Sequence, residues 1–156
     1  MSTKPLANLP NTIRPMTAAD LLPVVEIECA SSQSPWSLKQ FELSLNDSLV
    51  LESDNKVVGF AVMSAVLDQA ELHNIAIHPE YQGIGLGAVM LDYFLNNLPN
   101  EIKSIYLEVR LSNFRAIRLY QERGFVQVGE RREYYKTELG REDALLMCCD
   151  MATETP

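Results

Sequence analysis

At 156 residues, with 47% hydrophobic and 22% charged side chains, the chain has the size and composition of one globular domain. Such a domain buries roughly 70% of the surface its unfolded form exposes and needs no disulfide or metal to fold. Thirteen lysines and arginines against 21 aspartates and glutamates give a formal charge of −8, which argues against general binding to a nucleic-acid backbone and suits a cationic partner.

The longest near-continuous apolar stretch, residues 57–63, is far shorter than the roughly 18 residues a spanning helix needs. Residues 1–10 hold one lysine and no apolar run, so no secretory signal is expected there. Both 1–10 and 152–156 read as frayed ends around a domain at 11–151. Cys29 is distant from the adjacent Cys148 and Cys149, which is no disulfide framework and points to a reducing cytoplasm.

Within the domain, residues 12–16 read as a short strand. Thr17 or Asp20 can cap a helix to about residue 30, and Pro23, tolerable only in the first turn, favours Asp20. Ser37 and Gln40 have capping-box spacing and open a second helix to about residue 45. A strand at 49–52 turns at Asp54-Asn55 into a strand at 56–67, and a turn at 68–70 leads to a strand at 71–78. After Pro79 a glycine-rich segment, 82–87, enters a helix with apolar Leu86, Val89, Met90, Tyr93 and Phe94. Residues 104–109 alternate, with Ile105, Leu107 and Val109 on one face and Tyr106 and Glu108 on the other. Asn113 caps a helix to residue 123, and Gly124 stands where a left-handed stop is wanted. Strands at 125–135 and 144–151 close the series. The order β-α-α-β-β-β-α-β-α-β-β predicts an α+β domain around one mixed sheet of about seven strands, with helices on both faces.

The glycine segment follows a strand and opens a helix, a setting in which unshielded backbone amides receive phosphate oxygens. No Gly-Lys-Ser/Thr ending is present, so the P-loop reading fails. Gly83, Gly85 and Ala88 satisfy the dinucleotide pattern G-x-G-x-x-A. Too few residues follow for a doubly wound sheet, however, and the preceding strands read as hairpins. A glycine turn without a ligand is the plain alternative.

Several segments together resemble the Gcn5-related N-acetyltransferases (GNAT). Gln82-Gly83-Ile84-Gly85-Leu86-Gly87 matches the family's Q/R-x-x-G-x-G/A pyrophosphate loop, and Asn74-Ile75-Ala76-Ile77-His78-Pro79 resembles the strand before it. Leu119-Tyr120-Gln121-Glu122-Arg123-Gly124-Phe125 resembles the L-Y-x-x-x-G-F segment. Within the family the chain is most similar to the RimI-type ribosomal-protein alanine N-acetyltransferases. That likeness rests on Pro35-Trp36-Ser37, Leu107-Glu108-Val109-Arg110, Ser112-Asn113, Arg131-Arg132 with Tyr134-Tyr135, and Glu142-Asp143-Ala144. Many relatives carry arginine just after the loop glutamine, where this chain has Gly83 and Ile84. Losing that cation is expected to weaken cofactor binding modestly.

The resemblance implies acetyl transfer from acetyl-CoA, as cosubstrate and without a metal, to an amine. That chemistry requires a deprotonated amine, donors for the carbonyl oxygen and a proton for the departing thiolate. Glu108 resembles the family's general base, against the plain reading of a solvated strand glutamate. Tyr120 resembles its proton-donating tyrosine, against a buried packing residue. The resemblance assigns the backbone of Ile75, Ala76 and Ile77, on a strand that splays from its neighbour in the family, to the acetyl-pantetheine arm. It assigns that of Gly83, Ile84, Gly85, Leu86, Gly87 and Ala88 to the pyrophosphate. Asn113 is implied to contact the cofactor while also capping its helix. Trp36 and Tyr134 belong to segments that line the peptide side in relatives, or else serve as anchors. His73 and His78 lie five apart on opposite strand faces, a poor metal pair.

The implied acceptor is the N-terminal alanine of a basic ribosomal small-subunit protein, with no direct contact to nucleic acid or membrane. A small-molecule amine, such as a polyamine, amino acid or antibiotic, is the enzyme alternative. A silent acetyl-CoA-binding module would gain nothing from having both Glu108 and Tyr120.

Overall fold

A short strand β1 (Asn11–Pro15) opens the computed structural model, which describes residues 11–137 and 140–151; the ends expected to fray lie outside the described residues. A 3-10 turn over Ala18–Asp20 leads into α1 (Leu21–Ser31), and α2 (Leu38–Leu43) follows. Strands β2 (Ser48–Ser53), β3 (Lys56–Val66) and β4 (Gln69–Ile77) precede α3 (Leu86–Asn96). Then come β5 (Ser104–Arg110), α4 (Phe114–Glu122), β6 (Val126–Thr137) and β7 (Gly140–Asp150). The predicted element order is the observed one. The seven strands lie in the order β1-β2-β3-β4-β5-β7-β6, parallel where β4 meets β5 and antiparallel in the β1–β2, β2–β3, β5–β7 and β6–β7 ladders.

Two compact units make up the chain. The first joins residues 11–62 to Asn74–Asn97. Its core gathers Met16, Leu21, Val24, Ile27, Phe41, Val50, Phe60 and Val62, with Phe41 and Phe60 edge to face at 5.2 Å. The predicted capping box at α2 is present, with the Ser37 amide donating to Gln40 Oε1 at 2.8 Å and the Gln40 amide to Ser37 Oγ at 3.2 Å. Asp20 precedes α1, but its carboxylate accepts the Thr17 amide and two bonds from Arg14, serving the preceding turn and β1 instead of its own helix. In α3 the buried stripe is Leu86, Met90, Leu91 and Phe94. The prediction placed Val89 on that stripe, yet Val89 is 42% exposed, because the helix rolls toward Leu91.

The second unit joins Met63–His73 to residues 98–151. Ile105, Leu107 and Val109 of β5 are buried as alternation predicts, with Phe125, Met147 and Cys149. The turn expected at 68–70 sits one residue earlier, at Leu67-Asp68 with Leu67 at φ 58°. The parallel ladder with β5 already begins at Gln69, opposite Ser104, which draws Gln69 and the buried Ala70 into the strand. Gly124, at φ 92°, ends α4 as its position predicts. In β6 the register slips between Arg131 and Tyr135, with three residues of β6 opposite one of β7, and Glu133 takes φ 50°.

Candidate active site

In the first unit, β4 continues through Ile75, Ala76 and Ile77 after its ladder with β5 has ended at Leu72. A 3-10 turn over Pro79–Tyr81 follows, where His78 Nδ1 accepts the Glu80 amide at 3.1 Å. Gln82 Nε2 donates to the Ile77 carbonyl at 2.8 Å, tying the loop to the strand it leaves. Gly83 and Gly85 have φ of 84° and 91°, and a Cβ at either would meet no atom within 4 Å. These glycines answer a backbone requirement, since a left-handed conformation costs other residues roughly 1–2 kcal/mol, and the space above them is open. Gly85 precedes α3, so Leu86, Gly87 and Ala88 fall in the first turn, where a helix offers its amides no internal acceptor. Ile84 is half-buried. Open space at the glycines and a helix start whose first amides lack internal acceptors fit a pyrophosphate.

Trp36 lies against Phe41 with ring centroids 5.3 Å apart and is half-buried on the core. Its amide donates to Glu28 Oε2 at 2.9 Å, and Asn74 Nδ2 donates to the same oxygen at 3.1 Å. Glu28 is 3% exposed. This buried carboxylate joins α1, the Trp36 segment and β4, and sequence reasoning missed it.

In the second unit, Glu108 lies on the less apolar face of β5, as alternation predicts. Its Oε1 pairs with Arg131 at 2.9 Å, and the Glu108 side chain is 23% exposed against 52% for Arg131. The Arg131 guanidinium also stands 4.7 Å from the ring centroid of Tyr134, which is 46% exposed and meets Tyr135 edge to face at 5.1 Å. Arg110 stacks 4.3 Å from the ring centroid of Tyr135 and pairs with Glu142 at 3.2 Å. Burial opposes the charge on Glu142, yet hydrogen bonds to Ser112 and Arg110 hold its carboxyl below the ordinary value. Burial first, then the charge of Glu108, pushes the Tyr135 phenol up. Tyr135 and Arg131 are legible in the sequence only as parts of a matching segment; β6 shows no alternating burial that would single them out.

Tyr120 is the buried residue of α4 and packs against Phe125, with ring centroids 5.7 Å apart. Burial, then the neighbouring Tyr135 phenol, pushes its phenol well above the ordinary range, so it is neutral at working pH. Asn113 is an N-cap whose Oδ1 accepts the Ala116 amide at 3.1 Å. Cys149 is buried and its thiol pushed up by that burial, then by Cys148, which suits packing over reaction. Among the described residues there is no group of three or more His, Cys, Asp or Glu placed to hold a metal, and no helix long and apolar enough to cross a membrane.

The seven strands form one mixed sheet, and a helix opened by glycines follows β4. The sequence profile of the Acetyltransferase (GNAT) family matches residues 17–125, and the chain belongs to that family. It is 39% identical over 141 residues, 88% of this chain and 95% of the other, to the [ribosomal protein bS18]-alanine N-acetyltransferase of Escherichia coli (strain K12). Over 144 residues it is 40% identical to the enzyme of the same name from Haemophilus influenzae, covering 88% of this chain and 97% of the relative. The crystal structure of the E. coli ribosomal-protein-S18-alanine N-acetyltransferase superposes with a TM-score of 0.87 at 37% identity, covering 93% of this chain and 96% of that one. The protein is an acyltransferase with a GNAT-like domain.

Proposed function

We propose that the protein transfers acetyl from acetyl-CoA to the N-terminal alanine α-amine of a ribosomal small-subunit protein, by direct attack in a ternary complex in the cytoplasm. The observation that carries this reading is the match, over most of both chains, to enzymes named for acetylating the alanine of ribosomal protein bS18. Acetyl-CoA supplies the activated acyl group. The amides of Gly83, Ile84, Gly85, Leu86, Gly87 and Ala88 bind its pyrophosphate, and those of Ile75, Ala76 and Ile77, past the end of the β4–β5 ladder, receive the acetyl-pantetheine arm. Asn113 contacts the cosubstrate while capping α4.

Glu108 takes the proton of the acceptor ammonium. An α-amine, with an ordinary pKa near 7.7–8.0, asks less of a carboxylate than a lysine near 10.4. Tyr120, held neutral by burial, donates toward the departing sulfur. Trp36 and Tyr134 are read as acceptor-binding residues; the packing of Trp36 on Phe41 supports an additional anchoring role.

The test incubates the purified protein with acetyl-CoA and follows intact mass and free thiol. The acceptors are a basic alanine-led peptide, its N-terminally blocked form, a lysine-only peptide and spermidine. Acetylation confined to the free alanine terminus is expected, and Glu108→Gln should lower turnover about a hundredfold or more. Transfer to spermidine alone would discard the ribosomal acceptor, and full turnover in the glutamine variant would remove Glu108 from the mechanism.

A further inference from the structure

The face of β5 that carries Glu108 continues toward the strand's start to Tyr106, whose side chain is 37% exposed and lies in register with Glu71 of β4. A cavity of about 350 Å³ opens there, lined by Ser64, Val66, Gln69, Ala70, Glu71 and Tyr106. Glu71 Oε2 lies 3.6 Å from His73 Nδ1, and His73 Nε2 lies 2.7 Å from Ser64 Oγ. The line Ser64–His73–Glu71 has the residue types of a nucleophile array, but 3.6 Å is beyond hydrogen-bond reach. The arrangement therefore forms a polar wall, not a charge relay. The Glu71 side chain remains 53% exposed.

An aromatic ring, an accessible carboxylate and the exposed aliphatic side chain of Val66 form the chemistry that recognises a long cationic side chain. The stem lies on the aliphatic part, and the charge rests over the ring and beside the carboxylate. The second unit makes such contacts internally, with Arg110 over Tyr135 and Arg131 over Tyr134 and paired to Glu108. We propose that this cavity is an acceptor subsite for an arginine or lysine side chain at the second or third residue of the acetylated peptide.

The inference rests on the reading above that the acceptor amine meets Glu108. Tyr106 and Glu108 are two strand residues apart, about 7 Å, which is the span of two residues of an extended peptide. An amine at Glu108 thus sets the third residue near Tyr106, and a long side chain from the second also reaches it. The formal charge of −8 favours approach of such a chain.

The experiment measures kcat/KM for alanine-led hexapeptides, otherwise uncharged, with arginine at position 2, 3 or 6, or glutamine at all three. Arginine at 2 or 3 should be favoured over glutamine about tenfold, and arginine at 6 should not. In Glu71→Gln the ratio should fall toward one, and in Tyr106→Leu it should shrink severalfold. Equal kcat/KM for all four peptides, or an arginine preference that survives in Glu71→Gln, overturns the subsite. If no peptide is acetylated, the transfer reading fails by itself, and fluorescence anisotropy of labelled arginine and glutamine peptides then reads the cavity directly. Tighter arginine binding lost in Glu71→Gln supports the subsite; equal binding refutes it.

Discussion

Replacing Tyr120 with phenylalanine tests the leaving-group role with little disturbance elsewhere. The side chain is 6% exposed, and its packing against Phe125 survives the change. Burial lifts the phenol above its ordinary value of 10.0, with two consequences. It is always loaded with its proton, and it is a weaker acid than a solvated tyrosine. Donation then depends on the thiolate formed beside it being stripped of water as well, which raises that group's own proton affinity. Proton donation of this kind contributes roughly 10²–10⁴ in rate. Turnover in Tyr120→Phe should therefore fall about a hundredfold or more, which is about 2.7 kcal/mol of barrier. Stability should change by less than about 1.5 kcal/mol, since at most one hydrogen bond is lost and no cavity forms. The assay is thiol release at saturating acetyl-CoA and peptide, with urea unfolding and calorimetric CoA binding alongside. Turnover within twofold of wild type refutes the reasoning. So does a wild-type alkaline limb near about pH 9 that vanishes in the variant, because a phenol held above 10 does not titrate there.

Gly85→Ala places its Cβ in open space but at φ 91°, so backbone strain of about 1–2 kcal/mol acts alone; acetyl-CoA should bind severalfold more weakly by calorimetry, and an unchanged Kd would speak against the loop's role. The Arg14 guanidinium, 2.8 Å from each Asp20 oxygen, holds that carboxyl down at about 2 against an ordinary 3.8. A depressed folded-state pKa gives stabilisation that is complete above about pH 4 and lost as pH falls through about 2. Urea titrations should show wild type losing about 2 kcal/mol more than Asp20→Asn across that window. Glu28→Ala strips the acceptor from both the Trp36 amide and Asn74 Nδ2, and chemical denaturation should register a loss of about 2–3 kcal/mol. Glu28→Gln, which keeps one carbonyl oxygen, should lose less.

What the sequence discloses here is what is settled by neighbours. Ser37 and Gln40 are three residues apart and satisfy each other, so their helix start is readable from their types alone. Alternation from Ser104 to Arg110 separates Glu108 from the core because a strand's two faces differ every second residue. The loop glycines are legible for a similar reason, since left-handed φ at Gly83 and Gly85 limits which residues can stand there. Glu28 is hidden by the opposite logic. A glutamate in a helix reads as surface, and its burial depends on Asn74, 46 positions away. The pairing of Glu108 with Arg131 depends likewise on the order in which β5, β7 and β6 assemble. The slip in β6 has no local marker, because the left-handed residue is Glu133, whose amide is held by the Asp143 carboxylate across the ladder at 2.9 Å.

That slip and the ion pair beside it bear on which amine is acetylated. The residue on the near side of the slip, Arg131, already supplies Glu108 with a cation. An acceptor that engages Glu108 has to arrive as an ammonium to compete with the guanidinium, and has to react as a free amine. Around pH 7 an α-amine near 7.7–8.0 satisfies both conditions, being mostly charged yet neutral roughly one time in ten. A lysine near 10.4 competes as a cation just as well but is neutral several hundredfold less often. On this argument much of the preference for a chain terminus proposed above would come from proton affinity, before any contact with the flanking side chains is made. The shape of the surface then has only to choose among termini, which is the task the cavity at Tyr106 and Glu71 is suited to perform.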